Sequence, residues 1–307
     1  MEPLRMRYTP EREVRLALTL APFGQGRTDP CLRRSPEGWW LPLSTPLGGA
    51  TLLLRETSGA IDALAWGDGA AEALDAVPRL LGAEDDDDGF EPERHPLVAE
   101  LHRRFRGLRH GRADRILCFL VPTILGQKVT GVEQKRAWRQ LVHRHGEPAP
   151  GPAPEGMRVA PDAATWRRVP SWEWHRAGVG PQRSDTVMRA VQRGEALERL
   201  TRRSAVEAAA GLQSIPGIGV WTAAEVVQRS HGDADHVSVG DYHVSRRVGA
   251  ALLGDAVRGR EIDDDAMLEL LEPWRGHRQR VVRLIEAAGI GYERRGPRMT
   301  IVDNRAR

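Results

Sequence analysis

The sequence predicts an α+β fold, with a small antiparallel sheet first and helices for the rest of the chain. Three observations carry this. Segments of the first third alternate apolar and polar residues, or form short apolar runs bounded by Gly and Pro, as strands do. From Leu97 onward, apolar residues recur at helical spacing. Between the two lies an acidic, proline-containing connector, Glu84–Gly89 (EDDDDG) and Glu91–Pro96 (EPERHP). The expected domains are therefore 1–96, α+β, and 97–307, helical. The charge run itself reads as solvated linker.

At 307 residues the chain is long enough for two domains. No apolar run approaches membrane-spanning length, and the N-terminal MEPLRMRYTPEREV has no hydrophobic signal core, so a soluble, cytoplasmic protein without membrane contact is expected. Cys31 and Cys118 lie far apart and form neither a disulfide framework nor a metal spacing. The overall charge of +3 is unevenly shared: residues 1–96 carry a net −7 and the remainder +10. A basic C-terminal portion suits a polyanionic partner.

In chain order, Glu13–Phe23 (EVRLALTLAPF), Gly38–Ser44 (GWWLPLS), Ala50–Thr57 (ATLLLRET) and Ala60–Gly67 (AIDALAWG) read as strands. Ala70–Gly82 has a helical pattern. Helices are expected over Leu97–Leu108, Ala113–Gln127, Thr130–Gly146, Ala163–Val169, Trp172–Gly178, Arg183–Gly194 and Leu197–Arg203, and in a final set over Asp264–Gly289. The proline-rich Gly146–Gly156 (GEPAPGPAPEG) reads as a flexible loop. The segment from Tyr292 onward is basic and polar and reads as disordered or in loose phosphate contact. Trp138, Trp166 and Trp172 read as core.

The most informative stretch is Leu212–Val248. Pro216-Gly217-Ile218-Gly219 forms a tight hairpin between Ser204–Leu212, an Ala-rich helix with Ser at the N-cap, and a helix beginning at Val220 and Trp221. Two glycines leave no side chain where another backbone could approach. The second helix starts at once, so its unpaired N–H groups and the positive end of its dipole face outward, a fit for phosphate. About twenty residues on, Asp241 stands alone in VSVGDYHV. Either feature alone is ordinary structural punctuation; their combination and order are what inform.

Hairpin, Trp-Thr-Ala helix start, and Gly240-Asp241-Tyr242 followed by Arg246 and Arg247 together resemble the helix-hairpin-helix (HhH-GPD) DNA glycosylase superfamily, in particular 3-methyladenine DNA glycosylase II of the AlkA type. Fainter echoes cover most of the chain. Ile124–Thr130 (ILGQKVT) resembles the family segment beside the flipped nucleotide, Trp174–Val191 a turn and helix flanking the cleft, and Pro273-Trp274-Arg275 a C-terminal helix whose Trp lines the base pocket. The resemblance implies a small N-terminal antiparallel sheet before a two-lobed all-α glycosylase domain.

It further implies a division of labour. Asp241 would be the catalytic carboxylate, stabilising the oxocarbenium-like sugar and orienting water. Trp221, Glu225, Tyr242 and Trp274 would form the base pocket, entered by a base flipped from the duplex. A cationic alkylated purine would stack well on Trp faces. Gly217, Gly219, Val220, Gln127, Lys128, Arg183 and Arg246 would contact DNA. Backbone carbonyls of Gln213, Ile215 and Ile218 would hold a monovalent cation, Na⁺ or K⁺, bridging to phosphate; no other cofactor is implied. The expected partner is double-stranded DNA with a damaged base, bound by a monomer at the bacterial nucleoid.

Departures from the family pattern narrow this. Trp221 stands where strand-cutting relatives carry a nucleophilic Lys, which implies a monofunctional enzyme, and Pro122 stands where adenine-mismatch enzymes carry a second acid. Glu225 replaces an aromatic pocket residue and admits two readings: facing the base, or turned away into a salt bridge. Lys128, one of only two lysines with Lys135, occupies the minor-groove wedge position and could also act as a Schiff-base nucleophile. The expected function is excision of damaged, alkylated purines. The alternatives are another lesion (uracil, hypoxanthine or an oxidised purine) or a catalytically silent DNA-binding protein.

Overall fold

The computed structural model describes residues 2–292; the expectations for the segment beyond Tyr292 lie outside the described residues. Five strands, β1 (Leu4–Tyr8), β2 (Arg33–Ser35), β3 (Gly38–Thr45), β4 (Gly48–Thr57) and β5 (Ala60–Trp66), form one antiparallel sheet in the order β1-β5-β4-β3-β2. Central β4 is buried on both faces. Leu52 and Leu54 point into the main core, whereas Leu53 joins Trp40, Trp66 and Met157 on the other side. This explains an apolar run where a half-exposed strand would alternate.

Helices α1 (Leu16–Leu20), α2 (Ala70–Asp75) and α3 (Val77–Leu80) belong to the same end of the chain. The expected strand at 13–23 is thus a helix. Leu16, Thr19 and Leu20 are its buried face, at spacings of three and four, a period that five residues were too few to reveal. Strands β1 and β2 were not expected; both are short edge strands, β1 (LRMRY) only five residues long and β2 (RRS) wholly polar.

The remaining helices are α4 (Pro96–Arg104), α5 (Leu117–Leu125), α6 (Gly131–His145), α7 (Ala163–Arg167), α8 (Ser171–Arg176), α9 (Pro181–Val191), α10 (Gly194–Glu198), α11 (Ala205–Gln213), α12 (Val220–Ser230), α13 (Val244–Leu252), α14 (Ala256–Gly259), α15 (Asp264–Leu271) and α16 (Arg278–Ala287). Capping boxes, Thr130 with Glu133 and Ser204 with Glu207, start α6 and α11. The cores cross the chain order. One cluster unites the sheet with helices from α5 to α12, and a second unites α4 with α13, α15 and α16. Trp138 and Trp166 are buried as expected of core residues, but Trp172 is 64% exposed.

Two expectations about connectors change. The proline-rich loop is fastened to the sheet: β6 (Glu147–Pro148) pairs with β7 (Arg158–Val159), and Ala149 and Ala153 cover the Trp40–Trp66 face. Gly151 (φ +77°) sits so close to Trp66 that a Cβ would lie 2.4 Å from the indole. The acidic run, in turn, is no solvated linker. Asp85 is buried, and Arg280 on α16 donates to its two carboxylate oxygens at 2.7 and 3.1 Å and to the Asp86 carbonyl at 2.7 Å. Asp85 also accepts the His110 N–H, and Arg12 and Arg109 pair with Asp87. The connector is an electrostatic joint between the N-terminal segment and the last helix.

Next to this joint lies His110, wholly enclosed. Burial, with Arg280 and Arg283 nearby, holds its imidazole well below the ordinary value and so neutral in the fold. A depressed folded value means that stability is complete above the unfolded value of about 6.5 and is lost as pH falls below it. Burial shifts His102 and His231 the same way, while the bond to Asp233 raises His236 and opposes them. The melting temperature should therefore fall between pH 7 and pH 5.5, and His110→Gln should flatten that fall; a profile unchanged by the substitution would contradict the assignment.

Candidate active site

The hairpin is built by α11 ending at Gln213, the turn Ile215–Gly219, and α12 beginning at Val220. Gly217 adopts φ +96°, and a Cβ there would lie 2.4 Å from Thr186 Oγ1, so only glycine fits. Gly219 is extended and faces open space. Unlike α6 and α11, α12 has no side chain capping its first N–H groups, and Val220 beside them is exposed. The turn is braced from behind. Arg189 donates to the Pro216 carbonyl at 2.9 Å, and Gln127 Nε2 donates to the Gly217 carbonyl and to Thr222 Oγ1, each at 2.9 Å.

Two residues expected at DNA make hydrogen bonds within the protein. Gln127 spends its amide N–H groups on the hairpin. Arg183 donates to the Leu125 carbonyl at 2.8 Å and the Gly178 carbonyl at 2.9 Å, clamping the end of α5 to the turn before α9. Arg246 leans over the Tyr242 ring at 4.4 Å and donates to the Arg260 and Tyr242 carbonyls. Lys128 is exposed and holds φ +55°, a strained conformation for a lysine, beyond the end of α5.

Asp241 lies where the starts of α12 and α13 meet. Its Oδ1 accepts the backbone N–H groups of His243 (2.7 Å) and Val244 (3.1 Å), and its Oδ2 accepts the Trp221 indole N–H at 3.3 Å. The loop carrying it is tied on several sides. Gln228 donates to the His236 carbonyl and to Ser238 Oγ, the Gly240 N–H donates to Asp264, and Asp235 pairs with Arg278 at the start of α16. The carboxylate is thus held rigidly beside the hairpin helix, half-buried.

The aromatic pocket is not assembled as expected. Trp274 is 4% exposed, packs in the second core and donates its indole N–H to the Glu91 carbonyl at 2.8 Å. Tyr242 is 70% exposed. Trp221 alone stays beside Asp241. Glu225, the open question of the sequence, is turned into a salt bridge: Oε2 pairs with Arg229 at 2.7 Å and Oε1 accepts Ser238 Oγ–H at 2.5 Å. Burial would raise this carboxyl, but Arg229 and Ser238 outweigh it and hold it below its usual value.

Around Glu225 the structure gathers charges that the sequence did not single out. Glu225 lies one turn after Trp221 on α12, and Arg247 one turn after His243 on α13. Arg247 meets Glu286 of α16 at 3.7 Å, and Arg283, one turn before Glu286, donates to the Leu18 carbonyl at 2.8 Å. Burial draws Arg283 down to about 10 and pushes Glu286 up. Glu286 keeps 37% of its side-chain surface exposed. Helical spacing across α12, α13 and α16 was the available signal, hidden because the residues come from three distant segments. A separate groove of about 1350 Å³ runs between the sheet and α5–α10 and is lined by none of the candidate residues.

The architecture is an antiparallel β-sheet joined to two clusters of helices. It is similar to the 3-methyladenine DNA-glycosylase from Archaeoglobus fulgidus (TM-score 0.76, 16% identity, 92% of this chain and 97% of that one). It is also similar to the apo form of the 8-oxoguanine glycosylase/lyase of Clostridium acetobutylicum (TM-score 0.69, 12% identity, 93% and 97%) and to that enzyme bound to double-stranded DNA containing cytosine opposite 8-oxoG (TM-score 0.64, 13% identity, 91% and 93%). At these identities the likeness is one of fold. No family model matches the sequence, and no curated protein does.

Proposed function

We propose that the protein is a monofunctional DNA glycosylase, removing a damaged base from duplex DNA by hydrolysis. The observation that carries this is Asp241, a carboxylate fixed by two backbone amides and an indole N–H beside an uncapped helix start that suits a phosphate. With the nucleotide flipped out, the bond between base nitrogen and C1′ breaks and its electrons leave with the base. Asp241 stabilises the cationic sugar, water adds to C1′, and its proton passes by way of the carboxylate to solvent or base. Trp221 stands where a Lys nucleophile would otherwise permit strand cleavage. A sodium or potassium ion on the carbonyls of Gln213, Ile215 and Ile218 would add neutral-oxygen ligation between hairpin and phosphate. Alkylated purines, expected from an aromatic cage, have less support now that Trp274 is in the core and Tyr242 at the surface.

The test is incubation of the purified protein with duplexes each bearing one lesion. Strand breaks only after alkali support the proposal; breaks without alkali contradict its monofunctional part. The hairpin role has its own pair of variants. Gly217→Ala should cost on the order of 1–3 kcal/mol of stability, because it forces a side chain into the left-handed region against Thr186. Gly219→Ala, with open space around it, should leave the melting temperature unchanged yet weaken duplex affinity. Equal melting temperatures for the two, or undiminished affinity for Gly219→Ala, would count against a phosphate grip there.

A further inference from the structure

We infer that one face of α12, formed by Trp221, Glu225 and Gln228, sets where the Asp241 carboxylate stands relative to the hairpin, and that Glu225 and Gln228 act on it through Ser238. Both are positioning residues. The contacts carry where Asp241 is held; what it does there rests on the glycosylase reading above.

Residues four and seven positions apart share one face of a helix. Trp221, Glu225 and Gln228 are so spaced and span roughly 10 Å of α12, the helix that begins at the hairpin. Asp241 closes a tight turn whose first residue is Ser238. Its N–H donates to the Ser238 carbonyl at 3.1 Å, and Gly240 between them holds φ +91°. The α12 face touches this turn at both ends. Trp221 donates its indole N–H to Asp241 Oδ2 at 3.3 Å. Ser238, which is buried, donates its hydroxyl to Glu225 Oε1 at 2.5 Å and accepts from Gln228 Nε2 at 3.0 Å. The same amide donates to the His236 carbonyl at 2.8 Å, just before the turn.

Charge makes the middle contact directional. Arg229 pairs with Glu225 Oε2 at 2.7 Å and is itself anchored by donating to the Pro22 carbonyl at 2.7 Å. Burial works against an ionised Glu225, but Arg229 and Ser238 outweigh it. An ionised carboxylate only accepts, so the Ser238 hydrogen points to Glu225 and leaves the oxygen lone pairs for Gln228. Ser238 then has one orientation and the turn one seat. The consequence is for rate. The carboxylate has to meet C1′ while the start of α12 holds a phosphate, and a misplacement of about 1 Å costs up to about 100-fold.

The experiment labels the tryptophans of the full-length protein with ¹⁵N and follows the Trp221 indole N–H, assigned by its loss in Trp221→Phe. Single-turnover release is measured on duplexes bearing hypoxanthine, uracil, 8-oxoguanine or 7-methylguanine, and affinity on a duplex with a tetrahydrofuran abasic analogue. Ser238→Ala and Glu225→Gln should each shift the indole resonance and speed its exchange with solvent by about 10-fold or more. Each should slow release by about 10- to 100-fold while duplex affinity stays within about 3-fold. The two together should add little to either alone, because both act through one hydroxyl. Ser230→Ala is the control for stability: it removes buried bonds to the Val226 carbonyl and to His231 from the same helix, away from the turn. It should lower the melting temperature and leave the indole signal and the rate as they were. An unmoved indole signal in Ser238→Ala overturns the inference and keeps the glycosylase. So does a moved signal with unchanged release, or an equal effect of Ser230→Ala, which loss of stability would explain. Release of no base by the parental protein, with duplex binding retained, overturns the glycosylase reading and the inference with it.

Discussion

Replacement of Asp241 by Asn is expected to slow base release by roughly two to four orders of magnitude while the protein stays folded. The amide keeps an oxygen to accept the His243 and Val244 N–H groups, so the start of α13 retains its support. What is lost is the negative charge facing the sugar, together with the acceptor for water's proton. Single-turnover rates and melting curves, measured together, separate the two effects. Asp241→Ala should add a modest loss of stability, about 1 kcal/mol, by removing that support as well. If Asp241→Asn releases base at the parental rate, the carboxylate has a purely structural role and the chemistry lies elsewhere. Trp221→Phe is a milder companion: it removes one hydrogen bond to Oδ2 and tests whether the indole positions the acid.

The largest effect on stability is expected at Asp85→Asn. Asp85 and Arg280 are both almost wholly buried, and the pair joins the acidic connector to α16. Removing one charge leaves the other desolvated and uncompensated, which costs about 3–5 kcal/mol. In a chain of this size that corresponds to roughly 10 °C in melting temperature. Arg280→Met should cost a similar amount and would also free the Asp86 carbonyl. The double variant Asp85→Leu/Arg280→Met should recover part of the loss, because no isolated charge then remains. A shift of only a degree or two in Asp85→Asn would mean that water reaches the pair and that the connector is the solvated linker its composition suggested.

The connector shows why part of this protein was illegible in its sequence. Four consecutive aspartates look solvated, and nothing local reveals that Arg12, Arg109 and Arg280, from three distant segments, converge on them. Long amphipathic helices such as α6 and α9 were legible because a dozen residues fix a period. Five-residue α1 was not, and its leucines pass equally for a strand. At the site, the hairpin and Asp241 were readable because both are local: glycines that only a tight turn requires, and an acid beside a glycine at the edge of an apolar segment. Glu225 left two readings open, and its pairing with Arg229 chose between them. Trp274 sits in a recognisable motif but donates its N–H to a carbonyl 183 residues away, which no motif encodes. Arg183 and Gln127 look like polyanion ligands on charge and polarity alone; only their carbonyl partners show them bracing the scaffold. Arg247 and Glu286 meet only when α16 folds back on α13.

The most direct test of the account is a single-turnover reaction in ¹⁸O-labelled water on a duplex containing one hypoxanthine or 8-oxoguanine. Free base and the abasic strand are analysed by mass spectrometry after reduction with borohydride, which fixes label at the anomeric position and would also trap any covalent protein–DNA adduct. A hydrolytic glycosylase acting through Asp241 predicts intact base in solution, label in the abasic strand, no trapped adduct, and loss of all release in Asp241→Asn beyond trace levels. A trapped adduct, or base release that persists in Asp241→Asn, would contradict it.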